Sequence, residues 1–128
     1  MDLDRPIKLA CPSGEAVVFT QGSPVTGHEN EDAVGVFCWD DDELLLAVAD
    51  GVGGMPCGGA AAGRVIEVLA HLPVEPQDDP VGNLLNEVNQ SMLADHSTGA
   101  STVSAVRIEG HRLTSYHAGD SATVVVGK

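Results

Sequence analysis

The chain has 128 residues with 43% apolar content, enough for one domain with a sizeable core. Aromatic residues make up only 3%, so that core must be built from Val, Leu, Ala and Ile. With 19 Asp and Glu against 6 Lys and Arg, the net charge of −13 excludes the basic footprint of a nucleic-acid binder and argues against docking on anionic membranes.

Residues 1–14 read as a polar lead-in, interrupted by Pro6, Pro12 and Gly14. The start, Met1-Asp-Leu-Asp-Arg5, is acidic and no apolar segment of a signal peptide follows. No apolar run anywhere reaches membrane-spanning length. The three cysteines, Cys11, Cys38 and Cys57, show no paired spacing, which points to a reduced, cytoplasmic protein.

Ala16–Thr20 reads as a strand, Gln21–Glu29 as a Gly/Pro loop, and Ala33–Trp39 as a second strand opened by Asn30-Glu31-Asp32. Asp40-Asp41-Asp42-Glu43 is a solvated hairpin tip. Leu44–Ala49 is an uninterrupted apolar run, as in a strand buried on both faces, and it ends at Asp50. Glycines at 51, 53, 54, 58 and 59 follow, letting backbone approach whatever lies beside that carboxylate. A helix is expected over Gly58–Leu72, with Val65, Val68, Leu69 and Leu72 on one face and Pro73 as the stop. Asp79-Pro80 opens a second helix, Asp as N-cap and Pro at its first position, burying Val81, Leu84, Leu85, Val88 and Met92. Ser101–Ile108, Leu113–Ala118 and Ala122–Val126 read as three closing strands. The order βββααβββ is an α+β pattern with helices laid on antiparallel sheet. The last strand leaves an uncovered edge, through which the chain is able to self-associate.

Four carboxylates, Glu31, Asp32, Asp50 and Asp120, stand at strand ends beside Gly or small-residue turns. If the sheets stack, strand ends meet at one rim, and repulsion among the acids demands a cation. All-oxygen ligation selects Mg²⁺, Mn²⁺ or Ca²⁺ over zinc, and the five histidines show no zinc spacing.

Glu31-Asp32 before a strand, Val48-Ala-Asp-Gly-Val-Gly-Gly54, Gly99-Ala-Ser-Thr102 and Ala118-Gly-Asp-Ser121 occur in this order across nearly the whole chain. Together they resemble the metal-dependent serine/threonine protein phosphatases of the PPM, or type 2C, family. The resemblance implies part of an α-β-β-α layered sandwich with antiparallel sheets and two helices, as a single domain over 1–128 truncated on its C-terminal side. It also implies two Mn²⁺ or Mg²⁺ ions and a third, weaker site. Asp50 would bridge the metals, with the Gly51 carbonyl, Glu31 and Asp32 as further ligands and Asp120 at the third site. Asp50 and Asp32 would carry the catalytic role, a metal-activated water attacking phosphoserine or phosphothreonine of a protein substrate in line.

Two features depart from the family pattern. Its phosphate-clamping arginine, five positions before Asp32, is replaced by Gly27, with His28 beside it. Two further aspartates of the family's C-terminal half do not occur before the chain's last residue. A phosphatase-like module that binds metal or protein without turnover is therefore the alternative reading. A cysteine phosphatase needs five residues between Cys and Arg, whereas six separate Cys57 from Arg64, so Cys57 is read as a small buried residue. Gly53–Gly59 is not followed by the Gly-Lys-Ser/Thr of a nucleotide loop.

Overall fold

The computed structural model describes residues 2–12, 14–25, 29–39, 42–53, 57–72, 78–95 and 97–127. Strands β1 (Ile7–Cys11) and β2 (Gly14–Val18) form an antiparallel hairpin. β3 (Asp32–Trp39), β4 (Glu43–Asp50), β5 (Val103–Glu109) and β6 (Arg112–Ala118) form an antiparallel sheet in that spatial order. Between β4 and β5 the chain makes two helices, α1 (Gly58–Leu69) and α2 (Pro80–Ala94). The mixed α+β class with antiparallel sheets and two helices is as the sequence implies.

Alternation along the strands defines two faces of the sheet. Leu45, Ala47 and Ala49 of β4 join Val103 and Ala105 of β5 in a core sealed by Ala62, Val65 and Leu69 of α1 and Val81 and Val88 of α2. Leu45, Leu69 and Val81 have no more than traces of exposed surface, and each such side chain is worth roughly 1.5–3 kcal/mol on burial. Small residues at Ala61 and Ala62 let the start of α1 lie close to the strands. α2 begins as its N-cap signal requires: the Asp79 carboxylate accepts the Gly82 backbone N–H at 3.1 Å.

The other face carries Asp32, Val34, Val36 and Cys38 of β3 opposite Asp50, Val48, Leu46 and Leu44 of β4. Here β4 is not buried on both faces: Leu44 is covered, Leu46 only in part, and Val48 is 46% exposed. Chain reaches this face from two sides. The hairpin approaches β3, where Thr20 Oγ1 donates to Asp32 Oδ2 at 3.2 Å. Beyond β6, Ser121 and Thr123 pair their hydroxyls with Thr102 and Ser104 of the β5 segment. Nothing among the described residues covers Val48 between them.

Several boundaries differ from the sequence reading. Ile7–Cys11, taken as lead-in, is a strand; Pro6 and Pro12 flank it without interrupting its pairing with Gly14–Val18. α1 stops at Leu69, and its last turn tightens as the His71 N–H bonds Val68 O. Ala122–Val126 is not a strand: its one hydroxyl, on Thr123, is tied to Ser104, but it joins no backbone ladder, and Val124, Val125 and Val126 are 82%, 67% and 87% exposed. Cys57 is exposed, not buried, because it stands outside α1 as its N-cap with φ 68°. No helix among the described residues is long and apolar enough to cross a membrane.

Candidate metal centre

The register of β3 on β4 makes Asp32 and Asp50 direct cross-strand partners. Residues opposite each other in an antiparallel pair point to the same face with Cβ atoms about 4.5–5.5 Å apart, so the pairing alone sets two carboxylates side by side. Like charges in that position are destabilising unless a proton or a cation intervenes. Asp50 responds accordingly. Its carboxyl is raised above the ordinary carboxylate value, first by partial burial, then by the charge and hydrogen bond of Asp32, and further by the charges of Asp120 and Glu31.

Glu31 is held from the opposite side by glycines. The Gly51 N–H donates to the Glu31 carbonyl at 3.1 Å. A Cβ on Gly58 would stand 2.8 Å from Glu31 Oε1, and one on Gly51 would collide with the carbonyl of Gly58. The glycine-rich segment thus allows α1 to start directly against the β3 entry, with the Glu31 side chain filling the space that side chains there would need. The Asp50 carbonyl accepts both the Thr102 N–H at 2.8 Å and the Ser101 hydroxyl at 3.1 Å, while Val52 N–H bonds Ala100 O at 2.8 Å. These bonds fasten the turn after β4 to the segment leading into β5.

A cleft of about 360 Å³ opens here, lined among others by Asn30, Glu31, Asp32, Asp50, Gly51 and Gly53. Four of the five residues expected as ligands therefore share one cavity. Asp120 does not line it, and its charge reaches Asp50 from beside the cleft. Among the described residues, no three His, Cys, Asp or Glu side chains converge closely enough to hold one ion. The donor chemistry nonetheless suits a hard divalent cation: carboxylate and carbonyl oxygens, with no thiol or imidazole among the described residues of the lining. Gly27 and His28, at the position of the expected arginine, lie outside the described residues.

Sequence reasoning missed the residues that orient the acids. Asn30 Nδ2 donates to Thr20 Oγ1 at 2.8 Å, Thr20 Oγ1 donates on to Asp32, and Asn30 Oδ1 accepts the Asp32 N–H at 3.1 Å. The last contact is an Asx-type turn, and an Asn two residues before a strand's first N–H is its signal. A larger cavity of about 820 Å³ lies on the helix side, between α2 and β5–β6, with apolar lining such as Val88, Met92 and Val103 and, among the described residues, no acidic cluster. Its size does not make it the chemical site.

No protein-family model matches the chain. The serine/threonine protein phosphatase PstP of Mycobacterium tuberculosis is 37% identical over 90 residues, covering 60% of this chain and 17% of that protein. In fold, the chain is similar to the serine/threonine phosphatase Stp1 of Staphylococcus aureus, with a TM-score of 0.59 at 21% identity over 80% of this chain and 45% of that one. A bacterial serine phosphatase gives a TM-score of 0.53 at 20% identity, over 73% of this chain and 43% of its own. The chain thus spans about a sixth of the curated relative and less than half of the solved structures. In sequence over part of its length the chain is similar to a serine/threonine protein phosphatase, and in fold it is similar to two solved bacterial phosphatases.

Proposed function

We propose that the rim at Glu31, Asp32, Asp50, Gly51 and Asp120 is a divalent-metal centre of a phosphoserine/phosphothreonine phosphatase. The observation that carries this reading is the Asp32–Asp50 pairing, whose mutual charge raises the Asp50 carboxyl in a cleft built of oxygen donors. The carboxylates of Glu31, Asp32 and Asp50 and the Gly51 carbonyl would hold Mn²⁺ or Mg²⁺, and Asp120 a third, weaker ion. When bound, such ions supply Lewis acidity toward a phosphoryl oxygen and lower the pKa of an attacking water. The chain's own part is orientation. Thr20 and Asn30 fix one oxygen of Asp32, and the glycine cradle fixes Glu31. Ser101 and Thr102 hold the Asp50 backbone by its carbonyl. The substrate is a phosphorylated protein in a reduced cytoplasmic setting.

One observation favours a second reading, a phosphatase-like module that binds metal or protein without turnover. No arginine lies between Arg5 and Arg64 to clamp a phosphate, and a histidine does not reproduce a bidentate guanidinium. The deciding experiment is Mn²⁺-dependent hydrolysis of para-nitrophenyl phosphate by the 128-residue chain beside its Asp50→Ala variant, with a Mn²⁺ thermal shift on both. Hydrolysis that needs both Mn²⁺ and Asp50 establishes the enzyme. A Mn²⁺ shift that needs Asp50, without hydrolysis, establishes the non-catalytic module. No shift and no hydrolysis in either chain removes the metal centre altogether.

A further inference from the structure

Asp32 is held at both its backbone and its side chain by one closed ring of hydrogen bonds. Its N–H donates to Asn30 Oδ1 at 3.1 Å, Asn30 Nδ2 donates to Thr20 Oγ1 at 2.8 Å, and the Thr20 hydroxyl donates to Asp32 Oδ2 at 3.2 Å. The directions fix one another. Because the oxygen end of the Asn30 amide takes the Asp32 N–H, its nitrogen end faces Thr20, and the one hydroxyl proton of Thr20 is left for the carboxylate. That last link is the longest of the three, and O–H···O bonds weaken beyond about 3.0 Å. The ring therefore depends on where the Thr20 backbone stands.

That backbone lies past the end of β2 at Val18 and is held from the start of the chain. The Leu3 N–H donates to the Thr20 carbonyl at 2.9 Å. The Gly22 N–H donates to Asp2 Oδ1 at 2.7 Å, the short length of a charge-assisted bond. Gly22 in turn lies against Asn30: a Cβ there would stand 3.4 Å from both the Cβ and the backbone nitrogen of Asn30. Gln21, Gly22 and Ser23 line the same cleft as Glu31, Asp32 and Asp50, whereas Asp2 and Leu3 are not part of its lining.

We propose that Thr20 is the positioning residue of Asp32 and that Asp2 acts on Asp32 through it, so that a carboxylate outside the cleft governs how well the rim holds a divalent cation. Asp2 fixes the 20–22 segment, the segment places the Thr20 hydroxyl, and the hydroxyl takes rotational freedom from the Asp32 carboxylate before any ion arrives. A ligand ordered in advance loses less entropy on binding. The consequence for the cation rests on the metal-centre reading; the ordering of Asp32 does not.

The experiment takes two readouts on the full 128-residue chain: Mn²⁺ titration by calorimetry, and hydrogen exchange of the Asp32 amide in the metal-free protein. Thr20→Val keeps the shape of the side chain without its hydroxyl; Thr20→Ser keeps the hydroxyl without the methyl. Thr20→Val should weaken Mn²⁺ binding about 10-fold and quicken Asp32 exchange, with Thr20→Ser close to the parent in both. The reverse order, Ser impaired and Val intact, would show a packing role and overturn the proposal. Asp2→Ala should move both readouts the same way by a smaller factor, and Asp2→Asn, which removes the charge but keeps an acceptor for Gly22, should restore them. In the Thr20→Val background Asp2→Ala should change neither readout further, because its route to Asp32 is already cut. An additive effect there, or none in the parent, would overturn the role of Asp2. A parent chain that binds no Mn²⁺ would overturn the metal centre instead, and Asp32 exchange in the same variants would then decide the positioning by itself.

Discussion

Asp32 and Asp50 face each other across the last register position of β3 and β4, and no Lys or Arg is bonded to either carboxylate among the described residues. The raised Asp50 carboxyl has a thermodynamic consequence. A carboxyl with a higher pKa folded than unfolded binds more protons in the folded state between those two values. Stability is therefore lost as pH rises through that window and stays lower at neutral pH. In EDTA at pH 7, Asp50→Asn should melt a few degrees higher than the parent, an effect limited by the solvent exposure of the pair. In Mn²⁺ the order should reverse, because only the parent gains stability from the ion. A metal-free Asn variant that melts lower than the parent would contradict the repulsion.

The glycine cradle separates folding from binding. In Gly58→Ala the new Cβ would press on Glu31 Oε1 at 2.8 Å and Cδ at 3.0 Å, the far end of a long side chain that can swing aside, and would stand 3.1 Å from the Val52 carbonyl, which must give by a few tenths of an ångström. Alanine also gains up to about 1 kcal/mol of helix propensity over glycine. The urea midpoint should therefore change little, while Mn²⁺ affinity falls because Glu31 has been displaced. Gly51→Ala should differ, since its Cβ meets the Gly58 backbone itself. A loss of about 1–3 kcal/mol is expected there. Equal effects of the two substitutions on stability would show that the Glu31 contact is not what Gly58 serves.

Tyr116 is the one tyrosine of the chain, so its titration can be followed without ambiguity by tyrosinate absorbance. Burial, then a hydrogen bond and the charge of Asp79, raise it from the ordinary 10.0 to about 12. Its contribution to stability is complete below about pH 10 and is lost as pH rises through about 12. Asp79→Asn keeps an N-cap acceptor for Gly82 but removes the charge, so Tyr116 should titrate at lower pH with little change in thermal midpoint. Asp79→Ala should lose about 1 kcal/mol as well. A native titration near 10 in the parent would break the link between β6 and the start of α2.

Much of this was legible in the sequence where the signal is local. Asp79-Pro80 marks the start of α2 through chemistry confined to four residues, and Leu44–Asp50 reads as a strand from composition alone. The acids at strand ends could likewise be singled out as a rim. The pairing of Asp32 with Asp50 could not, because register belongs to two strands and depends on the hairpin between them. Ile7–Cys11 was missed because flanking prolines look like interruptions until a partner strand is known. Ala122–Val126 errs the other way: β-branched residues favour a strand, but a strand exists only where a neighbour supplies a ladder. The exposure of Val48 has the same origin, since an unbroken apolar run records what a strand could bury, not what this chain lays over it.

The segment after β6 is fastened by two hydroxyl pairs, Thr102 with Ser121 and Ser104 with Thr123, each joining residues 19 apart. β3, β4 and β5 are joined by antiparallel ladders along most of their length; among the described residues this segment shows two side-chain bonds to the β5 segment. Local opening requires least free energy where buried contacts are few and backbone bonds face solvent. Amide exchange should accordingly be fast beyond Gly119 and slow at Leu45 and Ala47. Asp120 rides on the fast side of that divide and Asp32 and Asp50 on the slow side. If the rim holds ions as proposed, one held by Asp120 would leave by a local release of the tail, on its own clock, while one held by the strand pair would wait for the sheet.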